Sequence, residues 1–174
     1  MNVLESFSLK GKVALVTGGA GLYGRQIVEA LAEAGAETYT ASRNLESLEQ
    51  VAKEEVERGH NVTAMKLDLS EDESIENLHQ DIIERSGKCD ILINNAVSRE
   101  FGSAGWKNTL DDFDKSLRIN ASALFKITQM FAEDMKKNNS GSIINIGSMM
   151  GTVGVENGNY EGTAVSYTHL RAHE

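Results

Sequence analysis

Short apolar runs alternate with amphipathic segments along this chain, and the alternation restricts the fold more than any other feature. Apolar or β-branched runs predict five strands, at 13–17, 38–41, 62–66, 91–94 and 142–146. Segments of helical periodicity separate them, at 25–34, 44–58, 70–85 and 110–137. Strands that alternate with helices predict a parallel sheet with right-handed crossovers. We therefore expect an α/β fold, a doubly wound parallel (Rossmann) sheet that is incomplete after its fifth strand.

Capping residues support these boundaries. A glycine follows each of the first three helical segments, at Gly35, Gly59 and Gly87. Asn44 and Thr109 precede the second and fourth segments and are suited to cap them. The run from Ser70 to Glu73 has the spacing of a capping box for the third segment.

Composition excludes several classes of protein. The chain has 174 residues, enough for one core, and a net charge of −9, which disfavours binding to nucleic acid or to an anionic membrane. Cys89 is the single cysteine, so no intramolecular disulfide forms and a reducing cytoplasm is expected. No apolar run reaches the roughly 18 residues of a membrane helix. We expect a single cytoplasmic domain.

A glycine-rich turn joins the first strand to the first helix. Gly19, Gly21 and Gly24 match the pattern G-x-G-x-x-G in the strand–turn–helix context that this pattern requires. Such a turn directs backbone N–H groups and the positive end of a helix dipole at one point, which suits a pyrophosphate. The alternative is an α/β domain that binds no nucleotide. The agreement between the turn and five strand–helix alternations favours a dinucleotide.

The end of the second strand bears on the choice of dinucleotide. An NAD site usually has an acidic residue there, which binds the ribose 2′-hydroxyl. This chain has Ser42, Arg43 and Asn44 instead. With no carboxylate to repel a 2′-phosphate and a guanidinium to pair with it, NADP(H) is favoured and NAD(H) stays possible. In the alternative, Arg43 is a solvated surface charge.

Four further motifs, together with the glycine turn, resemble the classical short-chain dehydrogenase/reductase family from about Leu9 to Thr163. They are Leu67-Asp68-Leu69, Asn94-Asn95-Ala96, Arg118-Ile119-Asn120-Ala121 and Ile146-Gly147-Ser148. The resemblance implies that Asp68 contacts the adenine and that the segment from Asn94 packs on the cofactor and steadies the sheet. The cofactor-binding residues that we predict are Gly18, Gly19, Gly21, Leu22, Tyr23, Gly24, Ser42, Arg43, Asp68, Leu69, Asn94 and Ala96.

The same resemblance implies a reaction, the interconversion of a secondary alcohol and a ketone by hydride transfer. Ser148 is in the place of the catalytic serine, whose hydroxyl at a strand end binds the substrate oxygen as negative charge builds on it. Asn120 is in the place of the family's asparagine, which marks a helix distortion that holds a relay water. Asparagine is a poor helix former, and this one lies in an apolar stretch. The alternative for Asn120 is an exposed surface residue.

The chain departs from the family at two cofactor positions. Leu22 replaces the middle glycine of the usual T-G-x-x-x-G-x-G, and Val97 replaces a glycine after Ala96. A leucine at the first position adds bulk near the phosphates, so a reshaped loop is expected. The valine alters the shape expected for the nicotinamide pocket.

The family's proton donor, a tyrosine followed four residues later by a lysine, has no match. Tyr160 is followed by Ala164 and Tyr167 by Arg171, and no lysine occurs after Lys137. Arginine does not replace lysine, because its planar fork has another hydrogen-bond geometry. We expect a partial Rossmann domain at 1–163 and an artefactual tail at 164–174, which resembles a translated sequencing adapter. The resemblance also implies a homo-oligomeric full-length parent, with the fragment itself inactive.

Several readings of function remain open. The segment 160–163 resembles gluconate-type and sugar-acid dehydrogenases of the family, which suggests a small polar alcohol or ketone as substrate. A reductase acting on acyl-carrier-protein or steroid substrates has the same fold. A different class is a non-catalytic nucleotide-binding protein that lacks the tyrosine–lysine pair. His169 and His173 have helical spacing but no third ligand nearby, so no metal site is predicted.

Overall fold

The computed structural model describes residues 2–98 and 107–148. In that part the elements are, in chain order, α1 (Val3–Ser6), β1 (Val13–Thr17), α2 (Leu22–Glu33), β2 (Glu37–Ser42), α3 (Leu45–Glu57), β3 (Val62–Lys66), α4 (Asp72–Ser86), β4 (Ile91–Asn94), α5 (Leu110–Leu117), a π-helical turn (Arg118–Ser122), α6 (Ala123–Lys137) and β5 (Ser142–Asn145). The five predicted strands are present. The short α1 was not predicted, because its few residues show no amphipathic period.

The strands form one parallel sheet in the order β3-β2-β1-β4-β5. Every residue of the central β1 is buried, as a strand covered on both faces requires. Leu15 packs in one core with residues of α4 and α6, whereas Val16 packs in another with residues of α2 and α3. Helices therefore cover both faces, and the predicted doubly wound α/β fold is confirmed.

Most predicted helix caps are present. Asn44 Oδ1 accepts from Ser47 N at 3.2 Å, and Thr109 forms a reciprocal capping box with Asp112. Gly87 ends α4 in the left-handed conformation, with φ of 72°. These caps depend on local sequence alone, which is why the sequence predicts them.

The predicted capping box at 70–73 is wrong. Helix α4 begins at Asp72, and its N-cap Glu71 makes no side-chain capping bond. The Ser70 hydroxyl instead donates to Asp68 Oδ1 at 2.7 Å. A carboxylate accepts a stronger, charge-assisted hydrogen bond, and Asp68 lies within reach of Ser70.

The fourth helical segment is interrupted as the resemblance implied. A π-helical turn over Arg118–Ser122 separates α5 from α6, and Asn120 within it is buried. None of the helices within residues 2–98 and 107–148 is long and apolar enough to cross a bilayer.

Candidate cofactor-binding site

A cleft of about 530 Å³ opens where the carboxyl ends of β1, β2, β3 and β4 meet. Strand order reverses between β1 and β4, and open α/β sheets bind ligands at such a point. Ten predicted residues line the cleft: Gly18, Gly21, Leu22, Tyr23, Gly24, Ser42, Arg43, Asp68, Leu69 and Ala96. The other described lining residues are Ala41, Asn44, Leu67, Asn95, Val97, Ser98 and Ile119.

The glycine turn is held tightly against the sheet. Gly18 has φ of 73°, which favours glycine, and its N–H donates to Ala41 O at 2.7 Å. Gly19 is buried, and a Cβ there would lie 1.8 Å from Thr40 Oγ1. Gly19 is not among the described residues that line the cleft. It was predicted to bind cofactor directly, but its place is beneath the turn, where only a glycine lets the loop approach β2.

The amino end of α2 faces the cleft without a capping side chain. Its N-cap is Gly21, which has no side chain that could cap the helix, and its first residue is Leu22. The Leu22 side chain is 93% exposed at the rim, so the leucine begins the helix without crowding the sheet. The first-turn amides and the positive helix dipole therefore suit an anionic ligand.

Thr17 and Asn95 join the glycine turn to the end of β4. Thr17 Oγ1 accepts from the backbone N of Asn95 and of Ala96, each at 3.0 Å. Asn95 Nδ2 donates to Thr17 O at 3.0 Å and to Gly18 O at 3.2 Å. These bonds connect residues 77 to 79 positions apart in sequence and shape one wall of the cleft.

Asn94 was predicted to bind the cofactor and to steady the sheet, and its bonds in the structure are to the sheet and its covering helix. Its side chain is buried, and Nδ2 donates to Thr128 Oγ1 and to Asn145 Oδ1, each at 2.9 Å. Asn94 is not among the described lining residues. Both amide hydrogens of Asn94 are used to link β4 to α6 and β5, so this side chain stabilises the sheet. The residues after it, Asn95 and Ala96, line the cleft.

Charged groups gather at the β2–β3 end of the cleft. Asp68 Oδ1 accepts from the Ser70 hydroxyl at 2.7 Å and from Ser70 N at 2.9 Å. The pKa of the Asp68 carboxyl is lowered, mainly because it accepts the hydrogen bond from the Ser70 hydroxyl. The positive charges of Arg43 and Lys66 lower it further. Asp68 is therefore an ionised acceptor beside two cations.

Asn120 lies behind the cleft wall and is fully bonded. Its Oδ1 accepts from Ser98 N at 2.8 Å, and its Nδ2 donates to Ser98 O at 3.0 Å and to Ser116 Oγ at 3.1 Å. Asn120 is not among the described lining residues, but its neighbour Ile119 and its partner Ser98 are. The side chain thus holds the segment after β4 against the π-helical turn.

Ser148 is exposed and follows β5 at the same edge of the sheet. The ladder extends one residue beyond that strand, since Ile146 N donates to Asn94 O at 3.0 Å. Ser148 is not among the described residues that line the cleft. The positions considered for the proton donor, Tyr160, Tyr167 and Arg171, lie outside the described residues, as do His169, His173 and the tail.

Seven of the described residues that line the cleft are not among those predicted to bind the cofactor. Leu67, Asn95 and Ile119 lie inside the family motifs and Val97 directly follows one, whereas Ala41 carries no chemical signal and lines the cleft through its position near the end of β2. Within residues 2–98 and 107–148, no three His, Cys, Asp or Glu side chains are grouped as metal ligands.

The sequence profile of the short chain dehydrogenase family matches residues 12–164. A 2-dehydro-3-deoxy-D-gluconate 5-dehydrogenase from Bacillus subtilis is 36% identical over 154 residues, which cover 84% of this chain and 56% of that protein. The chain spans about half the length of the curated relatives it matches, with 57%, 54% and 56% of the first three covered.

Solved structures agree with this relationship. A metagenomic short-chain oxidoreductase in complex with NADP is 29% identical with a TM-score of 0.80, over 91% of this chain and 69% of the other. A 7α-hydroxysteroid dehydrogenase complexed with NADH and 7-oxo glycochenodeoxycholic acid is 27% identical with a TM-score of 0.83, over 99% of this chain and 65% of the other. With a profile match over most of its length and this fold, the chain belongs to the short-chain dehydrogenase/reductase family.

Proposed function

We propose that this chain forms the cofactor-binding part of an NADP(H)-dependent oxidoreductase that interconverts a secondary alcohol and a ketone. The observation that carries the proposal is the cleft at the switch point, which combines the uncapped end of α2 with Arg43. The family is shared by proteins that bind either nicotinamide cofactor, so the preference rests on this chain's own residues.

The cleft fits a dinucleotide in size and in chemistry. Its volume of about 530 Å³ lies within the range of cofactor pockets. The amino end of α2 would hold the pyrophosphate, because its first-turn amides need acceptors and no side chain provides one. Asp68 would accept a hydrogen bond from the adenine amino group.

The β2–α3 turn favours a ribose 2′-phosphate over a 2′-hydroxyl. Arg43 lines the cleft, and residues 42–44 contain no carboxylate to bind a hydroxyl or to repel a phosphate. A guanidinium pairs with a phosphate through two parallel hydrogen bonds. NADP(H) is therefore the favoured cofactor, and Ser42 adds a hydroxyl at the same corner.

The chain's own residues would bind and orient the substrate. When bound, the nicotinamide supplies or takes up the hydride at the carbonyl carbon. Ser148 would donate a hydrogen bond to the substrate oxygen, whose negative charge it stabilises as hydride arrives. Asn120 positions the segment after β4 through its two bonds to Ser98, and so shapes the wall beside the reacting groups.

A small polar substrate is favoured by two resemblances. The segment 160–163 resembles sugar-acid dehydrogenases, and one relative acts on 2-dehydro-3-deoxy-D-gluconate by its name. A sugar acid or polyol is therefore our first choice of substrate. Cytoplasmic location, a homo-oligomeric parent, and the division into a family domain at 1–163 and a foreign tail at 164–174 belong to the same proposal.

A non-catalytic nucleotide-binding protein is the second candidate. The observation in its favour is that neither Tyr160 nor Tyr167 is followed by the family's lysine, since Ala164 and Arg171 stand four residues later. Without a lysine to lower the tyrosine pKa, proton transfer at neutral pH is slow. Under either candidate we expect the 174-residue chain to bind cofactor without turnover.

Cofactor binding and turnover, measured on the same material, test the proposal. Titration with NADPH and NADH, followed by nucleotide fluorescence, should give at least about tenfold tighter binding of NADPH. Arg43→Ala should abolish that difference and leave NADH binding unchanged. Tighter binding of NADH, or no binding of either, would refute the cofactor assignment.

The coding DNA separates the two candidates. Reading it beyond the codon for Thr163 in an independent clone should reveal a Tyr-x-x-x-Lys helix and further strands if the parent is an enzyme. A genuine stop after Glu174 favours the nucleotide-binding protein. Reduction of a ketone panel by the 174-residue chain would contradict the expectation of an inactive fragment.

A further inference from the structure

Lys66, the last residue of β3, bonds to the turn that carries Arg43. Its Nζ donates to the backbone oxygen of Arg43, across a separation of 23 residues in sequence. The two elements are adjacent there, because Ser42 of β2 is the register partner of Lys66. From the end of β3, the Lys66 side chain therefore reaches the loop that follows the neighbouring strand β2.

The lysine approaches that turn from outside the cleft. Arg43 lines the cleft, whereas Lys66 is not among the described lining residues and instead lines a neighbouring groove of about 540 Å³ between α3 and α4. The Lys66 ammonium group is bonded to the backbone of the turn. It acts on the turn through the carbonyl that it binds.

That carbonyl is a further point of attachment for the turn. Ser42 Oγ donates to Asn44 O at 3.3 Å, and Asn44 Oδ1 caps α3 at Ser47 N. Both flanks of Arg43 are thus fixed by bonds of their own. The bond from Lys66 fixes the orientation of the peptide unit between Arg43 and Asn44, and with it the direction from which the Arg43 side chain leaves the backbone.

We propose that Lys66 is a positioning residue for 2′-phosphate recognition, acting by holding the Arg43 carbonyl and adding a second positive charge behind the turn. This inference rests on the proposed preference for NADP(H) and deepens it. It predicts that discrimination between phosphorylated and unphosphorylated ribose depends on a side chain that the ligand does not touch.

The charge of this corner supports the inference. Arg43 and Lys66 both lower the pKa of the Asp68 carboxyl, so both lie within electrostatic reach of the same point in the cleft. Two cations face one carboxylate there. Such a corner attracts a phosphate dianion more strongly than a hydroxyl.

Binding of adenosine 2′,5′-bisphosphate and of 5′-AMP to the full 174-residue chain tests the proposal by calorimetry, with no turnover needed. The two probes differ only in the 2′-phosphate. Lys66→Met should weaken binding of the bisphosphate about fivefold and change 5′-AMP binding less than about twofold. Lys66→Arg keeps a donor and a charge, so it should stay within about twofold of the wild type for both probes.

Controls separate a failure of this inference from a failure of the cofactor assignment. Lys53→Met removes an exposed lysine of α3 that pairs with Glu57, and it should change neither affinity. If Arg43→Ala leaves the ratio of the two affinities unchanged, the proposed NADP(H) preference is wrong and this inference falls with it. If Arg43→Ala collapses the ratio but Lys66→Met does not alter it, only the role of Lys66 is overturned.

An equal loss of both probes in Lys66→Met would likewise overturn the role, because it would show a general effect on the turn. Circular dichroism and the urea midpoint establish that each variant is folded. Lys66→Gln replaces Lys66→Met if the latter is not folded, and the same outcomes decide the question.

Discussion

Gly19→Ala should destabilise the chain because the new methyl group has no room. A Cβ at this position would lie 1.8 Å from Thr40 Oγ1, 3.0 Å from Thr40 Cβ and 2.9 Å from Val28 Cγ2. Thr40 belongs to the buried β2, so it cannot swing aside as a surface side chain does. Overpacking of this kind costs about 1–3 kcal/mol, and the contact with a short, buried side chain puts the expected loss near the upper end.

The cause of that loss can be isolated with Thr40→Ala. Thr40 Oγ1 is buried and makes no hydrogen bond within the described part of the chain. Replacing Thr40 by alanine therefore relieves a desolvation cost of about 1–3 kcal/mol and loses about 0.8 kcal/mol of methyl burial, so Thr40→Ala alone should be neutral or stabilising by up to about 2 kcal/mol. In the double variant the alanine methyl occupies part of the vacated space, so the two effects should couple by about 1–2 kcal/mol.

Urea unfolding followed by circular dichroism measures all four chains of this cycle. Gly147→Ala is the matched control, because a Cβ there meets nothing within 4 Å, and its midpoint should be unchanged. Equal losses in Gly19→Ala with and without Thr40→Ala would refute the steric explanation. A Gly19→Ala midpoint equal to that of the wild type would refute the tight seating of the loop.

Three further predictions follow from side chains away from the cleft. The pKa of the Asp134 carboxyl is lowered, mainly by the hydrogen bond from Lys137 and also by that from His79. The ionised carboxylate therefore stabilises the folded chain above about pH 4, and this contribution is lost as pH falls through the lowered pKa. Asp134→Asn should flatten the decline of the urea midpoint between pH 5 and pH 3, and an unchanged decline would contradict this. Burial raises the pKa of the Cys89 thiol to about 12, so iodoacetamide should label it at pH 8 only at the rate of unfolding; rapid labelling of folded protein would count against that. Ile144 is 44% exposed on β5, which has a strand partner on one side only in the described part of the chain; Ile144→Lys should lower light scattering at high concentration, with Ile144→Val as the unchanged control.

The sequence predicts those parts of the fold whose causes are local. The run 13–16 is apolar throughout because β1 is covered on both faces, and such a run is visible without tertiary information. Thr109 caps α5 through a residue three positions away. In contrast, Ser70 has the residue pattern of a cap but bonds to Asp68, a competition that depends on how the chain turns after β3.

The candidate site was predictable as a set of segments, and less so as a set of contacts. Motif spacing identified the ends of β1, β2, β3 and β4, and ten predicted residues do line the cleft. Gly19 and Asn94 are not among the described lining residues, because Gly19 packs against Thr40 of β2 and the Asn94 side chain bonds to α6 and β5. No pattern in the sequence reveals the bond of Lys66 to the Arg43 carbonyl, since it joins two elements that only the sheet register brings together.

The bonds from Thr17 and Asn95 also govern how the site opens and what ligand binding costs. The amide hydrogens of Asn95 and Ala96 both end on Thr17 Oγ1, so they exchange with solvent only when the ends of β1 and β4 separate. This part of the backbone should then be among the slowest to exchange in the free chain. The glycine turn and the segment after β4 are already immobilised by these bonds, so they lose little conformational entropy when a nucleotide binds. Most of the entropy lost on association is then that of the ligand.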